Sequence, residues 1–314
     1  MYNEKESSLK LKDMTQLTIH LLGQFQVLMN GKAINHIATD KVRALLAYLA
    51  IENQYPHRRE KLAALFWPEK PESTARTNLR GALSNLRSVI NDQNADPPFL
   101  QVTRNDIQLN LNSHVEVDCQ LLDEVVANGC QNLEDLAQCD QLLELYQGDF
   151  LEGFSLADCL VFEEWLLTVR EQYRRKAAQL LQQVVQYHQE RNHFDQALPY
   201  CRRWVELSSW EEEPRRQLMK LLALSGHREE ALQQFDDLRV TLAEQLGIEP
   251  EPLTEQLIES IRNGELIQSH PIDESVSIQS VHGYLFTDFT QYGKQVKEFV
   301  GRRKSLAHLQ EKLI

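Results

Sequence analysis

The sequence predicts a mostly α-helical protein: an amino-terminal winged helix-turn-helix with small β-sheets, followed by a domain of stacked helix pairs like those of tetratricopeptide repeats. Three observations carry the prediction. An amphipathic helix over Glu72–Ile90 follows two shorter helical patterns; alternating strands flank these helices on both sides; and a phrase recurs farther on at a spacing of 34 residues.

Residues 1–16 form an N-terminal tail whose charges balance. Leu17, Ile19 and Leu21 then recur at every second position, as do Phe25, Val27 and Met29, the period of half-buried strands. Asn30-Gly31 supplies the residues that a type I′ turn needs. Asp40–Glu52 carries Val42, Leu45, Leu46, Leu49 and Ala50 at helical spacing, so this segment predicts a half-buried helix. His57–Trp67 reads as a second, short helix with Leu62, Leu65 and Phe66 inward. Pro68 ends it, and Pro-Glu-Lys-Pro makes the turn into the next helix.

Over Glu72–Ile90, Ala75, Leu79, Ala82, Leu83, Leu86, Val89 and Ile90 form an apolar stripe. At about 100° per residue, Arg76, Arg80 and Arg87 fall within roughly 40° of one another beside it. A helix that docks on a core while presenting guanidinium groups outward suits the major groove of DNA; the plain structural reading of the same pattern is a solvated face. Leu100 and Val102 lead into Thr103-Arg104-Asn105-Asp106, after which Ile107, Leu109 and Leu111 alternate back out. This is the pattern of a β-hairpin wing with an arginine at its tip.

Charge is divided unevenly. Residues 17–112 hold 11 Lys and Arg against 8 Asp and Glu, whereas residues 113–314 hold 19 against 35, within a chain of net charge −13. A mildly basic module hinged to an acidic body can still dock on a polyanion through its own face. Its small excess predicts modest, salt-sensitive affinity, which pairing of modules on adjacent sites would remedy.

These residues resemble bacterial transcriptional activators of the antibiotic regulatory protein (SARP) type, whose amino-terminal domain is similar to the winged helix of response regulators. The matching text is Lys41-Val-Arg-Ala-Leu-Leu-Ala-Tyr-Leu-Ala50, Glu60-Lys-Leu-Ala-Ala-Leu-Phe-Trp-Pro68 and Ala75-Arg-Thr-Asn-Leu-Arg-Gly-Ala-Leu-Ser-Asn-Leu-Arg87. The resemblance implies a DNA-binding domain over residues 17–113, in which Arg76, Thr77, Asn78, Arg80 and Ser84 face double-stranded DNA. Arg87 lies nearer the phosphates, and Thr103, Arg104 and Asn105 sit on the wing.

From about Val115 to Gly264 the pattern is almost entirely helical. Phe194-Asp-Gln-Ala-Leu198 recurs as Arg228-Glu-Glu-Ala-Leu232, and Val184, Tyr187 and Leu198 keep the same offset of 34 residues from Leu218, Leu221 and Leu232. Residues 114–264 also resemble the bacterial transcriptional activation domain of the same family through Tyr146-Gln-Gly-Asp-Phe-Leu-Glu-Gly-Phe154, Phe162-Glu-Glu-Trp165 with Arg170, Leu218-Met219 and Gln245-Leu-Gly-Ile-Glu-Pro250. Ser208-Ser-Trp210 departs from it, where relatives place an Asp-Pro pair. The partners this implies are a second protomer on repeated DNA half-sites and RNA polymerase.

Residues 265–298 read as a linker. Phe299-Val-Gly-Arg-Arg-Lys-Ser-Leu-Ala-His-Leu309, within 299–314, resembles the entry motif of signal-transducing P-loop ATPase modules, and the glycine-rich phosphate loop that should follow is missing. The expectation is a chain truncated before such a module. Gly293-Lys294 lacks the loop glycines and is no substitute.

No apolar run approaches the roughly 20 residues needed to span a bilayer, and no charged, apolar, small-residue leader begins the chain, so a cytoplasmic protein is expected. Cys119, Cys130, Cys139, Cys159 and Cys201 are odd in number and irregularly spaced, the pattern of reduced thiols. The ten histidines show no metal-ligand spacing, with His57 placed in the first turn of its short helix; no catalytic constellation, metal site or cofactor is expected. Two function classes follow. One is a sequence-specific DNA-binding activator that reads promoter DNA with residues 72–90. The other is a protein-interaction or autoinhibitory front end of a signalling ATPase, whose winged helix does not bind DNA.

Overall fold

Alternation at the start of the chain places Leu17, Ile19 and Val27 inward, and the two strands they belong to begin a sheet. The computed structural model describes residues 15–265, all within one compact unit. In chain order its first elements are β1 (Leu17–His20), β2 (Gln26–Met29), β3 (Lys32–Ala33), α1 (Asp40–Ile51), β4 (His57–Arg58), α2 (Arg59–Phe66) and α3 (Glu72–Val89). There follow β5 (Leu100–Val102), β6 (Asp106–Leu109), β7 (Val115–Val117), α4 (Asp118–Asn128) and α5 (Leu133–Leu145). The chain continues with α6 (Leu160–Glu190), α7 (Phe194–Leu207), α8 (Glu212–Leu224), α9 (Arg228–Gln245) and α10 (Pro252–Asn263).

The first sheet has the order β3-β2-β1-β7. β1 and β2 are antiparallel with Ile19 opposite Val27, and β1 and β7 are parallel with Ile19 opposite Val117. Asn30 and Gly31 both have positive φ, 50° and 77°, and turn β2 into β3 as the type I′ geometry requires. Val115–Val117, read from the sequence as the edge of a helical region, is instead a strand. Three residues are too few to display a period, and what fixes them is the open edge of β1 nearly a hundred residues earlier.

The wing is a second sheet, ordered β4-β6-β5, with Val102 opposite Ile107 and His57 opposite Ile107 on the other side. This corrects two sequence expectations. His57 lies in β4 and not in the first turn of a helix, its imidazole bonded to the Glu52 carbonyl, because pairing with β6 satisfies its backbone before α2 begins. Leu111 falls after the end of β6 and is half exposed, since the chain turns at Asn110 through the Ser113 N–H to Asn110 carbonyl bond.

The apolar core is continuous from Leu17 through Phe66, Phe99, Phe150 and Phe162 to Ile261. The junction between winged helix and helical repeats is therefore a packed seam and not a hinge. At one end, Gly23 N–H donates to the Asp149 carbonyl and Leu151 N–H to the Leu21 carbonyl, at 3.1 and 2.7 Å, while Leu22 bridges Phe150. Gly23 has φ +115°, and a Cβ there would stand 3.3 Å from that of Gln147, so the close approach favours glycine. At the other end, Phe66 packs on Phe162, Tyr48 on Trp165, and the Trp165 indole donates to Glu52 at 2.8 Å. Arg170 closes the loop between them by donating to the carbonyls of Phe150, Leu151 and Phe154.

Beyond the seam the helices stack in pairs, α7 against α6, α8 against α7 and α9 against α8. The 34-residue offset extends to backbone detail. His193 N–H bonds the His188 carbonyl at 2.9 Å and His227 N–H bonds that of Leu222 at 2.7 Å, each at the start of the second helix of its pair. Ala197 and Ala231 are both fully buried at the helix crossings, where small side chains let the backbones approach. The five cysteines are free thiols. Most of the expected N-terminal tail and nearly all of the linker lie outside the described residues, as does the whole segment resembling an ATPase entry.

Candidate nucleic-acid interface

The interface is built on α3. Ala75, Leu79, Ala82, Leu83 and Leu86 are buried along one stripe, and α1 and α2 pack against that side. Arg76, Thr77, Arg80, Gly81 and Ser84 are exposed on the rest of the helix, with Asn78 partly so. Glu72 in the first turn and Arg87 in the last complement the helix dipole.

The three arginines are held differently. Arg80 has no hydrogen-bond or ion-pair partner among the described residues and projects as a free cation. Arg76 pairs with Glu72 and lies 3.4 Å from Glu60, but these side chains are 48, 73 and 63% exposed, so water and competing anions reach the pair. Arg87 Nε donates at 2.7 Å to Asp92, which is fully buried and also accepts the Leu100 N–H at 2.9 Å. Arg87 thus braces the end of α3 against the first strand of the wing, through a short 3₁₀ turn over Asp92–Asn94.

At the wing tip Thr103, Arg104 and Asn105 are all exposed. The Thr103 hydroxyl accepts the N–H groups of Asn105 and Asp106, so it shapes the turn. Arg104 has no partner among the described residues. The Asn105 carbonyl accepts the Arg59 N–H at 2.9 Å, which ties the tip to the start of α2. Arg58 on β4 stands 3.4 Å from Asp106 and adds a second cation beside the tip.

A groove of about 650 Å³ runs along α3 past Thr77, Asn78, Gly81 and Asn85 to Thr39 and Lys41 at the start of α1. Lys41 donates at 2.7 Å to the Phe66 carbonyl and at 2.6 Å to Asp158 of the loop before α6. Its ammonium holds the Asp158 carboxyl below the usual value. Sequence reasoning missed Gly81. A Cβ there would meet no atom outside its own helix backbone within 4 Å among the described residues, so none of them requires glycine in the middle of this helix. Its signal was a helix-weakening residue on the arginine side of a strong helix. The Arg87–Asp92–Leu100 link was also missed, because it depends on a turn with no periodicity.

Residues 117–262 match the bacterial transcriptional activator domain family. The chain is 22% identical over 284 residues to the transcriptional regulatory protein MoaR1 of Mycobacterium tuberculosis, covering 87% of this chain and 86% of that protein. It is 34% identical over 82 residues to the transcriptional regulatory protein EmbR of Mycobacterium bovis, 26% of this chain and 21% of that one. The solved structure of Mycobacterium tuberculosis EmbR in complex with a low affinity phosphopeptide shares the fold, with TM-score 0.61 and 22% identity over 79% of this chain. The chain spans 65% of that EmbR chain. The chain thus joins a winged helix, through a common core, to a domain that matches the bacterial transcriptional activator domain family, and it is similar to transcriptional regulators over most of its length.

Proposed function

We propose that the chain is a SARP-type bacterial transcriptional activator that binds promoter DNA through α3 and the wing, with residues 17–113 as the reading domain and residues 114–264 contacting protein partners. The observation that carries the reading is the outward surface of α3, where Arg80, without a partner among the described residues, adjoins the open Gly81 and the exposed Thr77 and Ser84. In this reading Arg76, Thr77, Asn78, Arg80 and Ser84 address base edges and nearby phosphates. Arg76 exchanges its exposed carboxylate partners for DNA. Arg104 and Asn105 lie along the neighbouring groove or backbone, while Thr103 and Arg87 hold wing and helix in register.

The acidic helical array would then touch RNA polymerase and a second protomer on an adjacent half-site, in keeping with the small positive excess of the reading domain. Such work places the protein in the cytoplasm. The test is Arg80→Glu in a mobility-shift assay on operator fragments selected from genomic DNA by the purified chain. Binding should be abolished while the circular dichroism spectrum is unchanged. Undiminished binding would refute the reading and favour a winged helix that serves as a protein-contact module.

A further inference from the structure

We propose that a cavity in the helical repeats, between the turn before α5, the end of α6 and the start of α7, binds a small organic anion bearing a carboxylate or phosphate, with Arg191 as its direct contact and the buried His188 in the wall behind it. The cavity is about 670 Å³, within the range of small-molecule sites, and Gln131, Leu136, Tyr187, Arg191, His193 and Gln196 are among the residues that line it.

His188 is the unexpected group. It is only 5% exposed, yet neither ring nitrogen has a hydrogen-bond partner among the described residues. Buried polar atoms are paired in the great majority of cases, so two orphaned nitrogens on one ring in the wall of a cavity mark a place built for more than packing. Packing does not call for a histidine here. The residue 34 positions later in the repeat is Leu222, which is fully buried in the equivalent place. The His188 ring is also fixed in orientation, stacked on Tyr200 at 5.7 Å between centroids and 16° between planes.

The sign of the ligand follows from its neighbours. The Arg191 guanidinium lies 3.6 Å over the Tyr187 ring and donates to the carbonyls of Tyr187 and Gln131, at 3.0 and 3.3 Å. These bonds pin it while its Nε–H and further Nη hydrogens stay available, an arrangement suited to an oxyanion. His193 stands beside His188 at 6.2 Å. Burial first, then the charges of His193 and Arg191, push His188 below its ordinary pKa, as expected in a positive field. The acids nearby are Glu134 on the exposed rim, Asp135, which turns into the capping box of α5, and Asp140, which accepts the Tyr200 hydroxyl. The Asn132 side chain already satisfies the first amides of α5, so Arg191 is the charged donor of the lining.

The test is a titration of the full chain, labelled with ¹⁵N at histidine, with citrate and with glucose 6-phosphate, against glucose at matched ionic strength. Saturable shifts of the His188 and His193 ring signals with citrate identify a carboxylate ligand, and with the sugar phosphate a phosphate ligand. Arg191→Gln should weaken the response at least about tenfold, the loss of a charge-assisted contact. Shifts that follow ionic strength alone, no shift with either anion, or an unchanged response in Arg191→Gln would overturn the proposal. None of these outcomes bears on DNA binding by α3.

Discussion

Gly81→Ala is predicted to move stability and DNA binding in opposite directions. Gly81 is in the interior of α3, and an added Cβ would meet no atom outside its own helix backbone within 4 Å among the described residues. Replacing an interior helical glycine with alanine stabilises a helix by about 0.8–1.0 kcal/mol, partly by restricting the unfolded chain. For a unit of this size the thermal midpoint should rise by about 2–4 °C. In the proposed complex the same methyl would protrude between Thr77 and Ser84 into the contact with the groove. Overpacking a fitted contact costs about 1–3 kcal/mol, so affinity should fall by roughly 5- to 150-fold. Differential scanning calorimetry measures the first effect, and fluorescence anisotropy on an operator duplex at fixed salt measures the second. A rise in midpoint with unaltered affinity would refute the placement of this face against the duplex. A fall in midpoint would refute the local reading of α3 itself.

Asp92→Ala should destabilise the fold by about 3 kcal/mol, because it strands the Arg87 guanidinium and the buried Leu100 N–H together; chemical denaturation checks this, and a loss under 1 kcal/mol would show that the helix-to-wing brace is unimportant. Arg104→Ala, if the wing tip meets phosphate, should lower the slope of log affinity against log salt by about one while leaving base preference intact, and an unchanged slope would remove the wing from the interface. For His188, burial and the charges of His193 and Arg191 depress the folded pKa from its ordinary 6.5, so its neutral form is favoured in the fold. Its contribution to stability is therefore present above about pH 6.5 and lost as pH falls through the folded value. Thermal midpoints should drop more steeply with acid in the native chain than in His188→Leu, and parallel profiles would contradict the assignment.

The sequence disclosed the periodic parts of this molecule. α1, α3 and the wing strands announce themselves by spacing, and the alanines at 197 and 231 reveal the repeat. What it withheld depends on contacts between distant segments. β7 exists because β1 has an open edge, and His57 became a strand residue because β6 offered a partner. The candidate interface was legible to the same degree. Apolar spacing told which side of α3 is buried and hence that Arg80 is exposed. It did not tell that Arg87 is committed to Asp92, or that the Thr103 hydroxyl is used by its own turn, since both depend on loop geometry. The phrases Tyr146–Phe154 and Phe162–Trp165, recognisable in the sequence without a visible reason, turn out to supply several of the bonds across the seam, while Arg170 ties the first phrase to its own helix.

The shared core between reader and array has a geometric corollary on DNA. If α3 lies on the duplex as proposed, the two parts, moving as one body, leave the bearing of the array around the duplex axis to be dictated by the base pairs under α3. Inserting one base pair between tandem sites would swing a neighbour's array by about 35° and carry it roughly 3.4 Å along the axis. Activity should therefore oscillate with spacer length at the helical repeat of DNA, as gear teeth do when one wheel is advanced a notch at a time.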